Sequence, residues 1–372
     1  MRKAMIGIVL LGCAGMWVAG AHACSIFTVV RDGKVFMGNN EDYVKPGVIW
    51  FQRGRSGRYG RVNVGFDDKF AQGSMNEKGL AFDSAALAKV PWQADPNKES
   101  PKNLIEKIMD ECATVEEALA YFDTYNCAHL AEAQFMFADA TGASAVVAWL
   151  PDAGLSVVRR EGDIQIITNT RLEMSGYRCP RFVKATQVLA GRADGSLETM
   201  TAVLEAIHQR GPAAYTSYST VYDLQARKVY VYNLADFTQV REFDLMAELD
   251  RERRTVHKMA SLFPDGPTAE DLTRGEQRAD WNTRVELDDT TLAQYEGLYR
   301  PKPDITVEVR RNGEGGLTVA NPGQPGATLI PEGKTLFRIA PDGGTVTFQV
   351  KDGTVEGLTL HKNVDVYAKR VE

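Results

Sequence analysis

Residues 21–43 read AHACSIFTVVRDGKVFMGNNEDY. Upstream of this stretch the chain opens Met1-Arg2-Lys3, then runs apolar from Ala4 to about Val18. With Ala21-His22-Ala23, that is a basic region, an apolar region and a small-x-small cleavage site, the three parts of a secretory signal peptide over residues 1–23. Cleavage after Ala23 would leave Cys24 as the first residue of the mature chain. Downstream, Ser25–Val30 and Lys34–Gly38 read as strands flanking Arg31-Asp32-Gly33, and Asp-Gly is a strong hairpin signal. The mature chain is therefore expected to begin in a β-hairpin with a thiol on its first residue.

A thiol and a free α-amine on one residue form a nucleophile that carries its own base. The amine has a reference pKa of about 8 and accepts a proton near neutral pH. A neighbouring thiol can then be held as thiolate, the reactive form. No histidine is needed. Of five histidines, His22 leaves with the signal, and His129, His208, His257 and His361 sit in no motif-like context. A lipoprotein signal also ends at cysteine, which would make Cys24 an acylated tether of a binding protein. Position −3 is Ala21 rather than Leu, and the better lipobox, Leu10-Leu11-Gly12 before Cys13, follows a very short apolar stretch. Export to the periplasm or the medium with a free Cys24 is the reading adopted.

Composition bounds the rest. A chain of 372 residues suggests two domains. With 44% hydrophobic and 25% charged residues it is an ordinary globular composition. Beyond the signal no apolar run approaches the ~18 residues of a membrane span. The net charge of −6 becomes −8 once Arg2 and Lys3 are removed. An acidic chain without a basic block argues against nucleic-acid binding. The chain has no Cys/His cluster of metal-ligand spacing, phosphate-type glycine loop or dinucleotide fingerprint, so neither metal nor cofactor is expected. Among the remaining cysteines, Cys112 and Cys127 flank a short helix and are the favoured disulfide pair; the alternative is that Cys112, Cys127 and Cys179 are small buried residues.

Further strands are expected at Val48–Arg53, Arg61–Phe66 and Gly79–Ala86. Ser100-Pro101 reads as a helix start, and Thr114-Val115-Glu116-Glu117 as a capping box opening a helix. Strands return at Gln134–Ala138, Ser144–Leu150, Leu155–Arg159 and Asp163–Thr168, helices at about Pro180–Leu189 and Ser196–Gln209, strands at Thr216–Asp223 and Lys228–Asn233, and a charged helix over Leu245–Leu262. This order suits two antiparallel sheets packed face to face with helices outside. Residues 264–284 read as a linker around Pro264, Gly266 and Pro267. Residues 285–372 open with LAQYEGLYRP (292–301) and show short strands between glycine-rich turns, a small all-β barrel or sandwich. LAQYEGLYRP also resembles the start of the β-domain appended to some secreted serine hydrolases, which implies a domain type only. Gating, homo-oligomer contact and surface attachment are all open to it.

The segment 24–43 resembles the start of the choloylglycine hydrolase and penicillin V acylase family, N-terminal-nucleophile hydrolases of linear amides. The family's Gly-Arg-Asn-x-Asp is Gly38-Asn39-Asn40-Glu41-Asp42 here. MNEKGLAFDSAA (75–86), Ile167-Thr168-Asn169-Thr170 and Arg181-Phe182-Val183-Lys184 match three further family stretches in order. The resemblance spans about residues 24–250. It implies an α+β fold, a four-layer αββα sandwich, over 24–263. It implies Cys24 as nucleophile, Asp42 accepting from the Cys24 amine, and Asn169 with a backbone N–H near Ala86 as oxyanion donors. It also implies Arg181 favouring the thiolate, and Asn39 and Asn40 at the substrate side or bracing it. A small-molecule N-acyl amide is the implied substrate, with hydrolysis and acyl transfer sharing every residue. One departure is plain: the family's arginine is Asn39, which donates a hydrogen bond but brings no charge. Trp50, Phe51 and Trp92 are candidates for an apolar acyl pocket, with core packing as the alternative.

Overall fold

The computed structural model describes residues 24–371 except 152, 172–178, 212–213, 252–253, 274–286, 303–304, 314–315, 325, 332–333, 341–344, 352 and 362–364. The signal-like segment 1–23 lies outside the described residues.

β1 (Ser25–Arg31) and β2 (Lys34–Tyr43) form the expected hairpin. Asp32 and Gly33 take φ of 52° and 71°, the mirror-image turn whose twist matches that of paired strands. The chain continues through β3 (Val48–Gln52), β4 (Arg61–Gly65), β5 (Ala71–Asn76), β6 (Ala81–Ala86), α1 (Leu104–Glu111) and α2 (Val115–Thr124). Then come β7 (Ala133–Ala138), β8 (Ser144–Leu150), β9 (Gly154–Arg159), β10 (Ile164–Ile167), α3 (Pro180–Ala190) and α4 (Leu197–Ile207). The first unit closes with β11 (Tyr215–Asp223), β12 (Lys228–Asn233), β13 (Arg241–Asp244), α5 (Leu245–Arg251), β14 (Arg254–Lys258) and α6 (Met259–Leu262).

Two antiparallel sheets result, β10-β1-β2-β11-β12-β13 and β14-β3-β4-β5-β6-β7-β8-β9. Their facing sides share one apolar core that includes Ile26, Met37, Val62, Met75, Met136 and Tyr218. On the far side of the first sheet, Phe27, Val29 and Phe36 pack with Met200, Val203 and Leu204 of α4 and Ala185 and Leu189 of α3. On the far side of the second, Phe82, Phe135 and Phe137 pack with Ile108 of α1 and Phe122 of α2. This is the expected αββα sandwich. Its helices are capped as their sequences dictate: Thr114 Oγ1 accepts from Glu117 N at 3.2 Å, and Glu117 reaches back to Ala113 N at 2.6 Å.

Four local expectations are corrected. Asn103, not Ser100, caps α1, accepting from Glu106 N. β5 was not expected; its glycine-containing AQGSMN lacks the β-branched signal, and pairing on both edges makes it a strand. The helix over Leu245–Leu262 is interrupted by β14, whose Thr255 and Val256 suit an edge strand that pairs with β3 from Arg254↔Gln52 to Lys258↔Val48. Cys112 and Cys127 are free buried thiols, as is Cys179. The two flanking cysteines pack into the core under α2 as small apolar residues instead of bridging.

Within the stretch read as linker, α7 (Ala269–Thr273) buries Leu272 against Tyr215, Leu234 and Ala235. Past 286, α8 (Asp289–Ala293) leads into β15 (Gly297–Lys302), β16 (Ile305–Arg311), β17 (Leu317–Ala320), β18 (Ala327–Pro331), β19 (Leu336–Ala340), β20 (Thr345–Lys351), β21 (Thr354–His361) and β22 (Asp365–Arg370). These form a closed barrel, sealed by β15 against β22. The LAQYEGLY motif is its plug: Leu292, Tyr295 and Tyr299 are buried with Phe337 and Phe348. The tyrosine hydroxyls end on carbonyls, Tyr295 on Lys334 O at 2.6 Å and Tyr299 on Tyr295 O at 2.7 Å, which removes the cost of burying them. Among the described residues no helix is long and apolar enough to cross a membrane.

Candidate active site

β2 lies between β1 and β11 in the first sheet, and both its faces are covered. Side chains alternate along a strand. Val35 and Met37 enter the core between the sheets and Phe36 enters the core under α3 and α4. Gly38 is on the helix side, where a Cβ would come within 2.7 Å of the Phe27 ring and 3.1 Å of Met200. The same alternation sends Asn39 and Glu41 towards the second sheet and Asn40 and Asp42 towards the helices.

Cys24 precedes β1 and its side chain belongs to the core between the sheets. Its thiol donates to Glu41 Oε1 at 3.2 Å. Asn39 Nδ2 reaches Glu41 Oε2 at 3.4 Å and is a favourable polar contact of Asp83, in β6. Asp83 accepts from its neighbour Ser84 N at 2.9 Å. Gly73 makes room for it, since a Cβ there would fall 2.2 Å from Asp83 Oδ2. Burial pushes the Cys24 thiol well above its ordinary value, and the charges of Glu41, Asp42 and Asp83 push the same way. Glu41 is raised to about 8, chiefly by burial, against the pull of its bonds from Cys24 and Asn39. Asp83 is likewise raised by burial and by Glu41.

The helix side holds a different network. Asp42 accepts from Thr216 Oγ1, Gln209 Nε2 and Arg181 Nη1, the last at 3.3 Å. Burial raises it to about 6, with Arg181 the largest opposing influence. Arg181, in the first turn of α3, also donates from Nη1 to Cys24 O and Ser25 Oγ, both at 2.8 Å, and from Nη2 to Asn169 Oδ1 at 2.9 Å. Asn169 in turn donates to Ala86 O at 2.8 Å. The backbone beside Asn169 is clamped by Gln134, whose Nε2 donates to Thr168 O at 2.6 Å and Thr170 O at 3.1 Å. Cys179, the residue before α3, bonds Thr168 Oγ1 at 3.0 Å.

One arginine thus ties Cys24, Asp42 and Asn169 together, and Asn169 adds Ala86. These residues come from four stretches of the sequence, the ones on which the resemblance rests. Two placements, of Arg181 and Asn39, differ from the expectation. Arg181 grips the Cys24 carbonyl and Asp42, while the groups acting on the thiol are carboxyls that favour its protonated form. Asn40 takes the bracing one of its two expected roles, donating to Leu204 O at 2.9 Å and accepting from Ser219 Oγ at 2.6 Å. Asn39 is buried against Glu41. The aromatic candidates scatter. Phe51 stacks with Phe243 in the inter-sheet core, and Trp92 meets Trp149 near the α1–α2 core. Trp50 lines a cavity of about 830 Å³ with Arg61, Phe70 and α1 residues.

Glu41, the carboxyl against the Cys24 thiol, is the residue that motif reading passed over. It occupies the variable position of the motif, and the signal that could have found it is strand alternation counted from Asn39.

Neither protein-family models nor curated proteins match this sequence. Solved structures do. A variant of conjugated bile acid hydrolase from Clostridium perfringens is 17% identical with a TM-score of 0.50, covering 63% of this chain and 97% of that one. A second mutant of that hydrolase gives 17%, 0.51, 63% and 96%. Penicillin V acylase from Agrobacterium tumefaciens gives 19%, 0.48, 63% and 90%. The likeness to the bile acid hydrolase establishes a shared fold, in agreement with the fold implied by the motif resemblance.

Proposed function

We propose that this chain is an exported enzyme that hydrolyses a linear, non-peptide amide through an acyl-enzyme on Cys24, after removal of residues 1–23. The observation that carries the reading is the hydrogen-bonded set Cys24–Arg181–Asn169–Ala86, assembled on a fold shared with an amide hydrolase. The sulfur attacks the amide carbon. Asn169 supplies a side-chain N–H to the developing oxyanion, from an amide placed between Arg181 and Ala86. A backbone N–H near Ala86 supplies the second. Each such donor contributes about 3 kcal/mol to the transition state. Arg181 fixes the start of the mature chain by holding the Cys24 carbonyl, and Asp42 holds Arg181. The mature α-amine gives a proton to the leaving amine and takes one from the water that releases the acid.

The test is a screen of N-acyl amides of varied chain length and head group, a conjugated bile acid among them, against the mature protein. Released acid is measured beside acyl transferred to an added amine, which separates hydrolysis from transfer. Cys24→Ala should lower turnover at least about 10³-fold. A form retaining one residue ahead of Cys24 should be inactive as well; full activity there would refute the α-amine role.

A further inference from the structure

The carboxyl that touches the nucleophile has no place in the scheme above. Glu41 Oε1 is 3.2 Å from Cys24 Sγ, and the thiol is the donor. Asn39 orients the other oxygen, Oε2, at 3.4 Å. Glu41 is fully buried, so solvent does not compete for the proton. Nucleophile, acceptor and orienting group in that order are the arrangement by which proteins activate a thiol or hydroxyl.

We propose that Glu41 takes the Cys24 thiol proton when the sulfur attacks, and stores it until the thiol is regenerated. This rests on Cys24 being the nucleophile. In the attack the S–H bond breaks, its proton passes to Glu41 Oε1, and the sulfur pair forms the bond to the carbonyl carbon while the C=O π pair moves to oxygen. When the oxyanion collapses the C–N bond breaks, and the leaving nitrogen takes a proton from the α-ammonium of Cys24. Water then attacks the thioester and gives one proton to the α-amine. The C–S bond breaks, and the departing sulfur recovers its proton from Glu41. Two proton carriers therefore serve two different bonds.

The surroundings suit a proton store. The titratable groups facing Glu41 are Cys24 from the start of β1, Asp42 on β2 itself, Asp83 on β6, and Tyr218 and Tyr222 on β11. None of these side chains is a cation; the positive group near them in the mature protein is the α-ammonium of Cys24. A carboxyl among apolar residues and other acids is a far stronger base than one in water, and is raised here to about 8. Asn39 completes the logic. An arginine at that position would hold Glu41 ionised and weaken it as a base; a neutral amide orients it without that effect.

The test uses the mature protein and iodoacetamide, whose attachment to Cys24 is followed by mass spectrometry from pH 6 to 9, so no amide substrate is required. Glu41→Gln can fold: a glutamine can still accept from the thiol and can donate to Asn39 Oδ1, a buried atom with no partner among the described residues. Labelling in wild type should rise with pH through the region near 8. In Glu41→Gln it should be about tenfold slower at pH 8 and lose that rise. Turnover of any amide found by the screen should fall about 10²-fold in kcat with KM little changed. Glu41→Asp keeps a carboxylate and should be intermediate, with the rise retained. If Glu41 were only a buried negative neighbour, its removal would ease ionisation of the thiol, and Glu41→Gln would label as fast as wild type or faster. That result overturns the proposal, as does a folded Glu41→Asp without the rise. Either can occur while amide hydrolysis by Cys24 stands. Hydrolysis that persists unchanged in Cys24→Ala would strike the functional reading instead.

Discussion

Asp42 and Glu41 are neighbours on one strand, both carboxylic and both fully buried, yet they are different chemical objects. Asp42 faces the helices and is met by a hydroxyl, an amide and a guanidinium; it is raised only to about 6. Glu41 faces the second sheet and is met by a thiol and a long amide contact; it is raised to about 8. Burial acts on both, so the inventory of donors makes the difference. The helix-facing side of β2 is structural: Asn40 and Asp42 tie β2 to β11, α3 and α4. The inward side is where a proton can move.

The largest effect that probes this contrast is on the helix-facing side. Arg181→Ala leaves Asp42 without its cation and should destabilise the fold by about 3 kcal/mol in urea unfolding. Arg181→Ala combined with Asp42→Asn should recover part of that loss. A double variant no more stable than the single would show that Arg181 acts through Cys24 and Asn169 instead.

Next comes pH. Between an ordinary 4.5 unfolded and about 8 folded, Glu41 binds more protons in the native state than in the unfolded one. Its contribution to stability therefore falls as pH rises through that window, at up to about 1.4 kcal/mol per pH unit. Asp42, running from 3.8 to about 6, is half titrated at pH 6 and has nearly finished by about pH 7, in wild type and in Glu41→Gln alike. Measured from pH 6 to 8, wild type should lose stability and Glu41→Gln should lose less. Equal slopes would remove Glu41 from the account. The smallest effect is Asn40→Ala, which should cost about 1–2 kcal/mol through two lost buried hydrogen bonds and leave Cys24 labelling nearly unchanged. A labelling defect as large as that of Glu41→Gln would erase the distinction between the two faces.

Much of this was legible in the residues themselves. Asp32-Gly33 dictates its hairpin because the turn needs two positive φ values, and the capping box at Thr114 dictates the start of α2 because free N–H groups need partners. The barrel strands were legible from glycine-bounded alternation. β5 and β14 were not, because their strand character comes from neighbours that pair with them. Cys112 and Cys127 flank one helix in sequence, and spacing says nothing about whether packing suits two thiols better than a bridge.

At the site the division is sharper. Sequence alone placed a cysteine at the start of the first hairpin, and the motif resemblance singled out Asp42, Asn169 and Arg181 as candidates to stand beside it. Those residue types sit in motifs whose order survives without coordinates. Only the tertiary structure decided what each one faces. Two sheets packed face to face make β2 a strand without a solvent side, so the period-two alternation separates two buried environments instead of inside from outside. That packing set Glu41 against the thiol and left Asn39 where a charge would have weakened it.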